Sequence, residues 1–228
     1  MKSTISQTKK VLINILPALL KELIKTNIRL ILESLIRKRN RKKLIKIVKQ
    51  KEISKKHIWI EIGSIIQREN WITVDISKGA DICWDLSLPF PLKDNIIDKI
   101  YTSHLLEHFH YQELLQLLKE LKRILKSGRE LSICVPDAKI FVNAYLKNDL
   151  EKKKELDRIK HFEHPVEKID FINYIAYMGG VHKYMFETEN IISILKHVGY
   201  KKVVKRNFQP DLDLKVRKDE SIYISAFK

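Results

Sequence analysis

Two cysteines in 228 residues, Cys83 and Cys134, are too few for a disulfide framework. Neither shows metal-ligand spacing, so no metal site is expected. Both fall inside apolar runs and read as buried, reduced thiols. The chain also lacks the run of about 20 apolar residues that a membrane-spanning helix needs. Val11 to Leu20 comes closest, but Lys21, Glu22, Lys25 and Arg29 interrupt the hydrophobicity beyond it. No small-residue cleavage site comes after that stretch, so it does not read as a signal peptide. Aromatic residues are missing from residues 1–56, which removes the stacking platform used to hold single-stranded nucleic acid. Acidic residues are scarce there too, with 3 against 17 lysines and arginines, whereas the other 172 residues hold 25 against 27. Nearly all of the net charge of +16 therefore sits in the first quarter of the chain.

What is present falls into two regions, residues 1–56 and 57–228. In the first, Leu12, Ile15, Leu16, Leu19, Leu20, Leu23 and Ile24 recur at helical spacing, with Pro17 a point where the helix would kink or split. A second basic helix is expected over residues 37–56, opening with RKRNRKK. From Ile58 the pattern changes to short apolar strands: His57 to Ile62, Trp71 to Ile76, Ala80 to Trp84, Lys99 to Thr102 and Leu131 to Val135. Tyr111 to Leu125 is an amphipathic helix, with Lys126-Ser127-Gly128 reading as its C-cap. Ala138 to Lys147, Leu150 to Lys160 and Glu187 to His197 read as further helices, His161 to Lys183 as irregular, and Lys201 to Arg206 and Ser221 to Phe227 as final strands. Alternating strands and helices with a terminal strand pair predict an α/β fold: a mostly parallel sheet with an antiparallel edge.

In such a sheet, ligands sit beyond the carboxyl ends of the strands. Gly63, Asp75, Asp85, His104 and Asp137 each lie at or near one of these ends. An acidic residue after the second strand can accept from ribose hydroxyls, a second carboxylate from an adenine amine, and a glycine lets backbone approach a ligand. Each of these residues taken alone also serves as an ordinary turn or cap residue.

The segment around them is more specific. Asp85-Leu86, Leu88-Pro89-Phe90, Asp98, Leu106-Glu107-His108, Arg123-Ile124-Leu125-Lys126-Ser127-Gly128 and Val135-Pro136-Asp137 succeed one another in order. This succession resembles the class I S-adenosylmethionine-dependent methyltransferases, in particular the methyltransferase-11-like group. Gly179-Gly180-Val181-His182-Lys183, Val198-Gly199-Tyr200 and the ending Ser221-Ile222-Tyr223-Ile224 resemble the C-terminal part of that group. The resemblance covers about residues 58–228. It implies a Rossmann-like, mostly parallel seven-stranded sheet and S-adenosylmethionine as cofactor. By position it places Gly63 near the methionine moiety, Asp75 on the ribose, Asp85 near the adenine and His104 at the reactive end. Glu61 and Leu86 count among the cofactor-contacting positions. His104 and His182 are the favoured candidates for base or acceptor orientation, with His108 and Asp137 behind them; His108 reads equally well as a structural hydrogen-bonder. Two features depart from the group's pattern. The loop reads Gly63-Ser64-Ile65 where Gly-x-Gly is usual, and residues 63–70 leave room for at most a turn or two of the usual first helix.

The expected function is methyl transfer to a small-molecule or glycan acceptor, foremost a hydroxyl on a glycan or envelope precursor. The alternatives are a non-catalytic scaffold on a degenerate fold and an RNA methyltransferase using the basic arm. No Asn/Asp-Pro-Pro-Tyr-type segment comes after the fourth strand, which lowers the RNA reading. The basic extension reads first as a packing element and second as a membrane-surface helix over residues 9–50. Nucleic-acid contact comes third. The expected location is cytoplasmic, with peripheral attachment at the inner membrane face as an option. Oligomeric state is left open.

Overall fold

The computed structural model describes residues 2–158 and 161–228. They form two compact units, Met1–Leu44 and Ile45–Lys228. The first unit is helical. Helix α1 runs Lys2–Ile53, its last residues belonging to the second unit. It is one helix, not the two expected, and its backbone is continuous through Pro17 and through RKRNRKK. Arginine and lysine are good helix formers, so the change in composition there brings no break. A single proline costs about 3 kcal/mol, which good helix-forming neighbours can absorb. Leu23, Ile24, Ile28, Ile31 and Leu35 are exposed along this unit. Among the described residues no helix is long and apolar enough to cross a membrane.

In the second unit, β1 (Trp59–Ile62), β2 (Trp71–Asp75), β3 (Ile82–Cys83), β4 (Ile97–Ser103), β5 (Leu125–Pro136), β6 (Lys202–Lys205) and β7 (Ser221–Phe227) form one sheet. Among the described residues it has seven strands, in the order β3-β2-β1-β4-β5-β7-β6. β1 to β5 pair in parallel, whereas β7 runs antiparallel to both β5 and β6. This is the Rossmann-like arrangement, with the antiparallel strand one place in from the edge. The central strands are nearly continuous in apolar residues because both faces are covered; Ile60, Ile62, Val74, Ile100, Leu131 and Ile133 are all buried. Cys134 is buried as expected, but Cys83 is only partly so, its thiol donating to the Ile76 carbonyl at 3.0 Å.

Helix α2 (Tyr111–Ile124) buries Leu114, Leu117, Leu118, Leu121 and Ile124 along one stripe. Glu113 accepts from the His110 N–H at its start. Its end differs from expectation. Leu125 is already extended and β5 begins at once, so Lys126-Ser127-Gly128 lies inside a strand rather than in a helix C-cap. The last helical carbonyls are met instead by backbone N–H groups, Asn95 to Arg123 and Ile96 to Ile124. Gly128, at φ +72°, bends β5 and donates to the Lys228 carbonyl.

Between β1 and β2 the crossover 63–70 contains no helix at all. Arg68 braces it: its Nε lies 2.8 Å from Glu61 Oε2, it donates to the Asp211 carbonyl, and its guanidinium stands 5.5 Å from the Tyr101 ring. Beside it an aromatic row crosses the sheet, with ring centroids 5.7 Å apart for His57–Trp59, 5.4 Å for Trp59–Trp71 and 6.3 Å for Trp71–Tyr101.

Helices α3 (Ala138–Lys147), α4 (Leu150–Arg158) and α5 (Asp170–Tyr177) pack around Phe141, Leu156, Val166, Phe171 and Ile175. α5 and the short turn Met178–Gly180 occupy what the sequence presented as an irregular segment. Asp170 starts α5 by accepting from the Glu167 N–H and Asn173 Nδ2, and Phe171 and Ile175 form its single buried pair. Residues 159 and 160, the end of the helix expected over Leu150 to Lys160, lie outside the described residues. Helix α6 (Thr188–Val198) packs near β6 and β7 and ends at Gly199 in the left-handed region.

Candidate functional site

The strand order places β1 beside β4 while β2 lies on β1's other side, so the carboxyl ends of β1 and β4 mark the switch point where open α/β sheets hold ligands. Gly63 and His104 stand there. Gly63 has φ +75°, and a Cβ on it would meet the Leu105 side chain at 2.7 Å. The close approach that requires a glycine is thus made by Leu105, within the chain itself. His104 is in the left-handed region at φ +49°, uncommon for a residue with a Cβ. Its N–H donates to the Cys134 carbonyl, and its Nε2 lies 2.8 Å from Ser221 Oγ. Burial, reinforced by nearby Arg217, His182 and His108, lowers its pKa to about 3, so the ring is neutral at ordinary pH.

The positions that the resemblance assigns to a cofactor lie on neighbouring strand ends. Asp75 closes β2 and accepts from the Ser77 N–H at 2.6 Å. Asp85 comes just after β3 and accepts from the Ser87 N–H and hydroxyl at 2.9 and 2.7 Å. Trp84, between β3 and Asp85, donates its backbone N–H to the Asp75 carbonyl, while its buried indole N–H finds no partner. Leu86 is buried. Glu61 lies within β1, and its carboxylate is taken up by Arg68. Burial raises the Glu61 pKa, partly offset by that guanidinium. Ile65 leans on the turn after β2: a Cβ at Gly79 would lie 3.2 Å from the isoleucine Cβ. The two loops that flank the Asp75 end therefore meet through Ile65.

His182 belongs to a different group. It lines a cleft of about 390 Å³ with His104, Glu107, His108, Tyr174 and Arg217. The cleft lies past the ends of β4 and β5, roofed by α3 and α5. His182 is buried and its Nδ1 lies 2.9 Å from the Ile175 carbonyl; the exposed His108 places Nδ1 3.0 Å from the Val181 carbonyl. The Lys183 and Tyr184 N–H groups both donate to the Glu107 carbonyl, which fastens residues 181–184 to the turn after β4. Burial pushes the Glu107 carboxyl up to about 7, against lowering by its own backbone N–H and by Arg217. Its Oε2 has no partner. Arg217 donates to the Ser103 carbonyl and hydroxyl at 3.0 and 2.7 Å.

So the structure brings His104 and His182 into one cleft and leaves Asp75 and Asp85 on the loops after β2 and β3. Asp137 caps α3, accepting from the Lys139 N–H. Glu107 and Arg217 are the residues that sequence reasoning missed. Glu107 had a visible signal in the Leu-Glu-His triplet; Arg217 had none.

Residues 67–133 match the family described as a methyltransferase domain. The matched segment spans β2, β3, β4 and α2 and reaches into β5. Asp75, Asp85, Leu86, His104, Glu107 and His108 all lie within the matched segment, whereas Glu61, Gly63, His182 and Arg217 lie outside it. An uncharacterized protein of Methanocaldococcus jannaschii is 30% identical over 123 residues, 50% of this chain and 53% of that protein. The chain thus spans about half the length of the curated relative it matches. Among solved structures, a SAM-dependent methyltransferase from Archaeoglobus fulgidus is 16% identical with a TM-score of 0.45, over 75% of this chain and 86% of that one. Haemonchus contortus phosphoethanolamine N-methyltransferase 2 in complex with S-adenosyl-L-methionine is 12% identical with a TM-score of 0.47, over 75% and 48%.

Proposed function

We propose that the protein is an S-adenosylmethionine-dependent methyltransferase whose acceptor enters the cleft between His104, Glu107 and Arg217. The observation that carries this reading is the coincidence of the matched methyltransferase segment with the strand ends at which Asp75, Asp85 and His104 stand. The residues suit the cofactor's chemistry. Ribose hydroxyls and an adenine amine are donors, and Asp75 and Asp85 offer carboxylate acceptors on the loops after adjacent parallel strands. When bound, the cofactor supplies a methyl group on a cationic sulfonium, open to in-line attack, so alignment is the protein's main task. His104 stands at the switch point and stays neutral, which spares an incoming cation a like charge. His182 is held through Nδ1, which leaves its Nε2 lone pair uncommitted. Glu107, its Oε2 buried without a hydrogen-bond partner, polarises the same space.

The leading acceptor is a hydroxyl on a glycan or envelope precursor. The apolar and basic helix over residues 9–50 fits attachment to an anionic membrane surface where such precursors are found. A second reading, a non-catalytic protein on this fold, is favoured by Ile65 bridging the two cofactor-side loops and by the helix-free crossover. Calorimetric titration of the full chain with S-adenosylmethionine and S-adenosylhomocysteine separates them. Saturable binding supports the enzyme and leads to methyl-incorporation assays, starting with glycans and lipid-linked sugars. No binding by folded protein leaves the scaffold reading.

A further inference from the structure

Glu107, His108 and His182 each offer a metal-ligand atom, and these atoms all lie within 4.8 Å of one another. We propose that the three bind a divalent first-row transition ion, with zinc the best fit, and leave at least one coordination position open to the cleft. Two imidazoles and one carboxylate form the donor set of zinc sites that keep a free position, and magnesium with its preference for six oxygens is excluded.

Three features prepare the site. A carbonyl oxygen can only accept, so the contacts of His108 Nδ1 with Val181 and of His182 Nδ1 with Ile175 require a proton on each Nδ1. Both rings therefore present a bare Nε2 lone pair, held by the backbone contact that commonly orients metal-bound histidines. Glu107 is only 2% exposed, and its Oε2 is buried with no donor facing it. Such an atom carries a desolvation penalty that no hydrogen bond to it offsets, and a cation is a partner that would. Finally, the paired N–H donors of Lys183 and Tyr184 on the Glu107 carbonyl, at 2.7 and 3.1 Å, fix the distance between two segments remote in sequence. Ligand atoms around a tetrahedral ion stand about 3.4 Å apart at ordinary zinc bond lengths. The trio is looser than this, and the exposed His108 ring is the member with room to close on an ion.

An ion here would face the same cleft as His104 and Arg217. Its open position would take an acceptor hydroxyl or carboxylate and lower the pKa of a bound hydroxyl. That use rests on the methyl-transfer reading, whereas the binding of the ion does not.

The test uses tag-free full-length protein stripped with a chelator. Titration with Co²⁺ is expected to give one equivalent per chain with the visible ligand-field bands of a low-coordinate site, displaced by Zn²⁺ and untouched by Mg²⁺. Glu107→Gln and His108→Ala should each weaken binding by about tenfold or more. His164→Ala, at an exposed histidine elsewhere, should leave it unchanged. His182→Ala should also abolish binding, and because that residue is buried its folding is checked by circular dichroism. The exposed His108 keeps the test decisive in any case. A folded wild-type protein without saturable Co²⁺ or Zn²⁺ binding, or binding indifferent to Glu107→Gln and His108→Ala, overturns the proposal. A parallel titration with S-adenosylmethionine reports separately on the methyl-transfer reading.

Discussion

At Gly63 two demands meet: a left-handed backbone and a Leu105 side chain pressed where a Cβ would stand. Gly63→Ala should therefore cost about 2–4 kcal/mol, from backbone strain plus overpacking. Leu105→Ala in the same chain should recover the packing part alone. Chemical denaturation of the wild type and both variants checks this. Asp75→Ala should weaken S-adenosylmethionine binding in calorimetry with the melting temperature nearly unchanged; unaltered affinity would remove Asp75 from the ribose. Asp98 gives a pH-dependent counterpart. Burial alone would raise its pKa, but the Ile58 N–H and Lys126 ammonium, aided by Arg129, hold it below the ordinary 3.8. A carboxyl lowered in the fold contributes stability that is fully present above that ordinary value and drains away as pH falls through the lowered one. Asp98→Asn should cost about 1–2 kcal/mol at neutral pH and flatten the acid side of the stability profile, read by thermal melts from neutrality down to about pH 3. The strand-end positions of Asp75, Asp85 and His104 were legible because strand ends can be counted along a sequence. Arg217 was not, since its place in the cleft depends on a loop returning from after β6.

Among the elements, strands were legible because two-sided burial writes them as apolar runs, although β5 starts at Leu125 and not at the expected Leu131. Ends were less so. The end of α2 was misread because its last carbonyls are satisfied by residues 95 and 96 rather than through Gly128. α5 was hidden because eight residues with one buried apolar pair give no sustained period. The edge strand β6 is the weakest part of the sheet: three of its four residues are exposed, and it carries Lys202 and Lys205, a composition that discourages edge-to-edge pairing. Hydrogen exchange should find β6 amides exchanging at least about tenfold faster than those of β5 and β7, as expected where burial is slight. Equal protection would mean that something covers this edge in solution.

For the molecule as a whole, charge and fold are written in different parts of the chain. The α/β character of residues 57–228 could be read from alternation and spacing. The first 56 residues disclose helix and charge but no partner, because an apolar basic helix has the same periodicity against protein or lipid. If residues 9–50 attach to membranes, the full chain should co-sediment with vesicles rich in anionic phospholipid at low salt, and far less with zwitterionic vesicles. Binding should fall at 1 M salt, where the screening length shrinks to about 3 Å. Indifference to lipid charge would assign the extension to protein packing instead.

The row of rings across the sheet has an optical consequence. Trp59 and Trp71 stand 5.4 Å apart with planes inclined at 48°, close enough for their transition dipoles to couple and skewed enough for the coupling to rotate light. The native protein should show an exciton couplet in ultraviolet circular dichroism that vanishes when either indole becomes phenylalanine. Trp84, buried beside the Asp75 and Asp85 loops, is left as a separate emitter whose fluorescence would respond to events at that end of the sheet. The chain thus holds two built-in gauges, one for whether the sheet is assembled and one for whether those loops are occupied.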